Sequence, residues 1–307
     1  MCQILILTSE VIFSFIAYIR VEKKYSPHTC LSYQTDLEQF HGFVFKEYEL
    51  NDILLVNHQV VRTWIVQLMT DNQKATSVNR KISALRSFFH WAIKKKKISS
   101  NPMLKVLAPK KPKKLPEVVP GNNIMRLFET DLNKVMEKPD FVSVRDIFMV
   151  ELLYATGMRR SELKQLTLED INMSRKEIRV TGKGNKVRSI PLTERLIASF
   201  LLYKETRNQV ENVGHSYLFM TENGKPIYDK LIYNIVKDKL KEITTLGKKS
   251  PHVLRHTFAT HMLDEGADLN AIKELLGHAS LAATQVYTHN SISKLKEVYK
   301  KAHPEGI

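Results

Sequence analysis

Three stretches in the second half of this 307-residue chain place cationic side chains and a phenol at spacings suited to chemistry on a phosphate. The first is Tyr154-Ala155-Thr156-Gly157-Met158-Arg159-Arg160-Ser161-Glu162-Leu163. There an apolar run ends at a glycine turn and projects an arginine from a rigid helix end. A surface arginine after a glycine is commonplace, so this stretch says little alone. The second is Pro251-His252-Val253-Leu254-Arg255-His256-Thr257-Phe258-Ala259-Thr260-His261. His252 and Arg255 stand three apart, and on a helix they share a face near its start. Free N–H groups and the helix dipole also favour anions at that end. The third is Leu276-Gly277-His278-Ala279-Ser280, followed by Thr284-Gln285-Val286-Tyr287-Thr288-His289. His278 falls just past a helix end and Tyr287 lies nine residues on. A lone tyrosine is usually an amphipathic core residue, and a chemical role for this one requires the other groups around it.

No paired Asp/Glu motif or His/Cys cluster has metal-ligand spacing, and no Gly-rich loop ends in Lys-Ser or Lys-Thr. The expectation is therefore of no cofactor and no metal. Phosphoryl transfer without either needs a protein nucleophile and protein cations, because negative charge gathers on the non-bridging oxygens. Arginine suits the task, since its planar fork grips two oxygens at once.

The elements that must position these groups read as mainly α. Ser26-Pro27 puts a capping hydroxyl ahead of a proline at the first helical position, opening a helix across 28–45 with Leu31, Leu37, Phe40 and Val44 at helical spacing. Val11–Val21 reads as a core-facing helix. Val60, Trp64, Ile65 and Leu68 mark a third, and Ile82, Leu85, Phe88, Phe89 and Ala92 a fourth. Together they make a small bundle over residues 1–100. Residues 101–120 hold Pro102, Pro109, Pro112, Pro116 and Pro120 with Lys105, Lys110, Lys111, Lys113 and Lys114. Such a stretch is stiff and extended, and reads as a basic interdomain linker crossing a nucleic-acid backbone. Residues 121–307 form a second, mostly helical domain with one interruption. Glu177–Thr181 and Val187–Pro191 alternate like strands around Gly182-Lys183-Gly184-Asn185-Lys186, a β-hairpin with a lysine at its tip. Helices follow at 193–206, 229–243, 251–263, 268–276 and 291–301. Ser250 and Asp268 open two of them, and Gly277 closes one.

Lys plus Arg number 47 against 32 Asp plus Glu, a formal charge of +15 that draws polyanions. Residues 1–120 carry 18 basic and 9 acidic side chains, and residues 121–307 carry 29 and 23. The shorter segment is the more basic per residue, as expected if it grips phosphates. Cys2 and Cys30 are the only cysteines and have no metal spacing, which speaks against a disulfide framework and for a reducing cytoplasm. The apolar start is broken by Glu10 and is too short to span a bilayer; no membrane partner is expected.

Taken in order, these blocks resemble the tyrosine recombinase (phage integrase) family, most closely its Xer-type bacterial branch. Ala155-Thr156-Gly157-Met158-Arg159 with Ser161-Glu162-Leu163, His252-Val253-Leu254-Arg255-His256, and Leu276-Gly277-His278 with Tyr287 carry the resemblance, and the Gly182–Lys186 hairpin adds to it. It implies a SAM-like four-helix DNA-binding bundle followed by a mostly helical catalytic domain with a small antiparallel sheet. It implies that Tyr287 attacks the scissile phosphate, that Arg159 and Arg255 stabilise the transition state, and that Lys183 protonates the leaving 5′-oxygen. His252 resembles the general base and His278 a further phosphate donor. The partners implied are double-stranded DNA bearing a short inverted repeat and a homo- or hetero-tetramer of recombinase protomers, with the tail helix from Ser291 docked into a neighbour. The role implied is chromosome dimer resolution through a Holliday junction. The alternatives are the integrase or transposase of a mobile element, a relaxing topoisomerase of the same chemistry, and a catalytically silent DNA-binding protein. On the residues alone, Arg160 competes with Arg159, Tyr299 with Tyr287, and Lys186 and Arg188 with Lys183.

Overall fold

A computed structural model describes residues 2–110, 117–137, 139–182, 184–211 and 213–277, with the backbone alone at 2–9, 132, 134 and 136. The chain divides into two compact units, Met1–Lys114 and Leu115–Ile307.

The first unit is helical: α1 (Cys2–Val21), α2 (Pro27–Tyr48), α3 (His58–Thr70) and α4 (Ala75–Lys94), with a single 3₁₀ turn at Ile53–Leu55. Ser26 Oγ accepts the Thr29 N–H at 3.2 Å, and Pro27 takes the first helical position. Asn57 opens α3 by accepting the N–H groups of Gln59 and Val60. Each cap satisfies donors that the helix itself leaves unpaired. Phe15, Leu37, Phe40, Val61, Leu85, Phe88 and Phe89 close the core. Leu31 does not join them as expected; it is 62% exposed, and its neighbour Cys30 takes the inward position. One residue's rotation about a helix axis is enough to turn a side chain from core to water. Asp36 is fully buried and pairs with Lys81 at 3.0 Å and with Arg80, fastening α2 to α4. The start of the proline-rich stretch lies on this unit: Met103 and Val106 are buried, Arg86 Nη2 donates to the Val106 carbonyl (2.9 Å) and Asn79 to that of Pro109 (3.0 Å). Among the described residues no helix is long and apolar enough to cross a membrane.

The second unit is built around α6 (Phe141–Thr156), whose residues from Ile147 to Thr156 are all buried. A helix end buried on every side belongs at the centre of a core, and the one carboxylate in that run, Glu151, meets Arg195 Nε at 2.9 Å. Around it lie α5 (Gly121–Glu137), α7 (Arg160–Gln165), α8 (Glu194–Asn208), α9 (Asp229–Ile243), α10 (Pro251–Asp264) and α11 (Leu269–Leu276). Strands β1 (Ile171–Asn172), β2 (Glu177–Thr181) and β3 (Val187–Pro191) form an antiparallel sheet in that order, with Ile178 opposite Ile190 and Val180 opposite Arg188. The hairpin strands have the bounds read from their alternation. The two-residue β1 is too short to show any. Asp268 caps α11 as expected, accepting the N–H groups of Asn270 and Ala271, and Gly277 (φ 65°) ends it. Ser250 departs from expectation. It stands at the cap position of α10, but its backbone is fully extended (φ −162°, ψ 162°) and its hydroxyl makes no capping bond. Lys183, His278, Tyr287 and the helix expected at 291–301 lie outside the described residues.

Candidate active site

The last two carbonyls of α11 and that of its capping Gly277 each receive a different arginine. Arg188 Nε donates to Leu275 at 2.6 Å, Arg255 Nη2 to Leu276 at 2.7 Å, and Arg159 Nη2 to Gly277 at 3.2 Å. A helix end leaves such carbonyls without intrahelical partners and carries partial negative charge. Guanidiniums brought from β3, α10 and the turn before α7 complete it, and in doing so they are gathered in one place.

Gly157 makes the gathering possible. It ends α6 in the left-handed region (φ 56°), where glycine carries no steric penalty. A Cβ there would stand 2.5 Å from Phe258 Cδ1 and 2.8 Å from Leu276 Cδ2. The Gly157 carbonyl accepts Arg255 Nη1 at 2.6 Å, so this turn holds one arginine by its backbone and directs the chain into Arg159. Arg255 is only 9% exposed. Burial, and then the neighbouring Arg159, push its guanidinium down to about 10, still a full cation at neutral pH.

Such a cluster repels itself, and Glu162 is its counter-charge. Oε2 accepts the Arg159 backbone N–H (2.8 Å) and Arg188 Nη2 (2.8 Å); Oε1 accepts Arg159 Nη1 (2.7 Å) and Arg188 Nη1 (3.2 Å). Burial by itself would raise this carboxyl. The hydrogen bonds and charges of Arg188 and Arg159 outweigh that effect and hold it below the ordinary carboxylate range. Three guanidiniums against one carboxylate leave the cluster positive, as a site for a phosphate should be.

His252 occupies the first turn of α10, three residues ahead of Arg255, with its side chain exposed. Partial desolvation, then the charges of Arg160, Arg255, Lys248 and Arg159, lower its imidazole below the usual value. It is therefore neutral at pH 7 and able to accept a proton.

The competing residues part company here. Arg160 turns to α9, with Nε 3.0 Å from Asp229 Oδ1, while Arg159 faces the cluster and stays one-third exposed. Arg188 is buried and spent on Glu162 and Leu275. Lys186 is exposed, and its carbonyl accepts the Gly182 N–H at 2.8 Å to close the hairpin. Sequence reasoning missed the joint work of Glu162 and Arg188. The signals were there: Glu162 lies three residues after Arg159, and Arg188 stands two before Ile190 on β3, on the same inward face.

Comparison with known proteins gives the family. Residues 123–294 match the model of the phage integrase family, and residues 12–96 that of the phage integrase N-terminal SAM-like domain. The chain is 38% identical to tyrosine recombinase XerC of Staphylococcus haemolyticus, covering 97% of this chain and 98% of that protein. It is 37% identical to tyrosine recombinase XerD of Staphylococcus aureus, covering 96% and 99%. In fold it is similar to the XerH site-specific recombinase bound to palindromic difH substrate (TM-score 0.68, 23% identity, 87% of this chain and 78% of that one). It is similar also to the Tn1549 transposon integrase in complex with circular intermediate DNA (TM-score 0.69, 20% identity, 92% and 98%). A SAM-like helical unit followed in the chain by a mostly helical catalytic unit, with near-full-length recombinase relatives, places the chain in the phage integrase family, as a site-specific tyrosine recombinase of the Xer type.

Proposed function

We propose that this enzyme cleaves double-stranded DNA through Tyr287 and rejoins it to a partner strand, at a short inverted-repeat site bound by four recombinase protomers. The phenol oxygen of Tyr287 attacks the scissile phosphorus and gives up its proton to His252. The P–O5′ bond breaks, a 3′-phosphotyrosyl bond forms, and Lys183 supplies the proton that releases a 5′-hydroxyl. Attack by the 5′-hydroxyl of the partner duplex reverses the step and yields a Holliday junction. The energy of the broken phosphodiester is kept in the covalent bond throughout. Arg159 and Arg255 neutralise the non-bridging oxygens, and His278 donates to one of them. The observation that supports this reading most strongly is that Arg159 and Arg255 meet on adjacent carbonyls, Gly277 and Leu276, immediately before His278 in the chain.

The domains follow the same division: residues 1–100 grip the duplex, the proline- and lysine-rich 101–120 straps its backbone, and 121–307 carries out the chemistry. The relatives named XerC and XerD favour chromosome dimer resolution in the cytoplasm as the role. A nicked suicide substrate tests the core of the reading. The unaltered enzyme should trap a covalent protein–DNA adduct and Tyr287→Phe should trap none; an adduct with Tyr287→Phe would remove Tyr287 from the nucleophile's place.

A further inference from the structure

β3 alternates about its axis, and Arg188 shares its inward face with Ile190, the two being 6% and 0% exposed. A guanidinium in that position carries a large desolvation penalty unless its donors are used. Here they are: Nε bonds the Leu275 carbonyl, and Nη1 and Nη2 bond the two oxygens of Glu162. The fit around it is close. A Cβ on Gly277 would lie 3.2 Å from Arg188 Nη1, and one on Gly182 would lie 3.3 Å from Glu162 Oε1. The lysine hairpin, the α11 end and the start of α7 therefore all abut one ion pair.

The division of Glu162 between two arginines has a chemical consequence. With Arg188 on both its oxygens, Glu162 engages the Arg159 side chain only through Nη1. Arg159 Nη2 rests on the Gly277 carbonyl at 3.2 Å, the longest of the three contacts to α11, and is the donor most readily exchanged for a phosphate oxygen. Without Arg188, Glu162 would turn to take both Nη groups of Arg159 in the bidentate pairing that carboxylates and guanidiniums prefer.

We propose that Arg188 is a positioning residue for strand cleavage: by occupying Glu162 and pinning the last turn of α11, it keeps Arg159 presented to the scissile phosphate. This rests on the cleavage reading above. Arg188 neither touches the phosphate nor donates the leaving-group proton; its effect passes through Arg159 to the charge on the non-bridging oxygens.

Substrate chemistry separates these routes. Adduct formation is timed on nicked substrates whose scissile linkage is a phosphodiester, a methylphosphonate (one charged oxygen replaced by methyl), or a 5′-bridging phosphorothiolate, whose thiolate leaves without a proton. Relative to the unaltered enzyme, Arg188→Met should lose about 100-fold on the phosphodiester, the scale of a misplaced catalytic group. Most of that loss should vanish on the methylphosphonate and persist on the phosphorothiolate, and Arg188→Lys should recover part of the phosphodiester rate. Equal loss on phosphodiester and methylphosphonate would overturn the proposal, and so would recovery on the phosphorothiolate, which would make Arg188 part of leaving-group protonation. Should Arg188→Met fail to melt cooperatively, Arg188→Gln, which keeps a neutral donor beside Glu162, should show the same pattern with a smaller loss; failure of both to fold would make Arg188 purely structural. The cleavage reading fails separately, if the unaltered enzyme forms no adduct or Tyr287→Phe forms one.

Discussion

Arg159 and Arg255 donate to neighbouring carbonyls of a single helix end, Gly277 at 3.2 Å and Leu276 at 2.7 Å. Two cations that would repel each other in open solvent are held together because both donate to one helix C-terminus and Glu162 supplies a nearby counter-charge. Any change that moves that helix end moves both arginines, and the same holds for the turn that precedes Arg159.

Gly157 is where such a change would be most costly. Gly157→Ala brings a methyl within 2.5 Å of Phe258 and keeps a left-handed backbone (φ 56°) that alanine disfavours. Overpacking and strain together should destabilise the second unit by about 3 kcal/mol, read from urea unfolding. Gly184→Ala, with a comparable φ of 76° but open space around it, should cost only about 1 kcal/mol. Equal losses at the two sites would mean that packing at Gly157 contributes nothing.

Glu162 ties stability to pH. Its folded carboxyl lies below the ordinary value of about 4.3, so its contribution is complete above that value and is lost as pH falls through the lower folded one. Glu162→Gln should destabilise the protein by about 2 kcal/mol at pH 7. That gap should narrow steadily at more acid pH, and denaturant titrations across the range would measure it. A gap independent of pH would separate Glu162 from the charge network.

His252 should set the acid limb of cleavage. Its imidazole titrates below the ordinary value of about 6.5, so the neutral base persists through neutral pH and is lost only on further acidification. The single-turnover rate should therefore be flat near pH 7 and fall at lower pH. His252→Gln should be slower at pH 7 by on the order of 100-fold and lack that limb. A limb that survives the substitution belongs to another group.

Deleting residues 291–307 should separate assembly from recognition. If the tail couples neighbouring protomers, the truncated protein keeps its DNA affinity in gel shifts and loses recombination. Parallel loss of both would place the tail in DNA binding instead.

Much of the molecule was legible from short-range signals. The strands at 177–181 and 187–191 were read from alternation, and the openings and closings at Ser26, Asp268 and Gly277 from residues whose side chains or φ angles suit a helix end. The order of the Arg159, His252–Arg255 and Gly277–His278 blocks carried the family, because the chemistry of a phosphate demands cations of those types wherever the chain has to bring them from. The failures were also local in origin. Leu31 has the right spacing for the core, but the inward place goes to Cys30, and Ser250 has a capping side chain on a backbone too extended to use it.

The sequence by itself thus determined the kind of chemistry, the helical character and the residue types that carry charge, since these depend on composition, periodicity and spacing. Only the tertiary structure decided which of two adjacent arginines joins the cluster, that Arg188 is buried against Glu162, and that three guanidiniums end on the consecutive carbonyls of Leu275, Leu276 and the capping Gly277. Those choices are made between groups far apart in the chain, where burial and the competition for a single carboxylate outweigh anything a residue's immediate neighbours can specify.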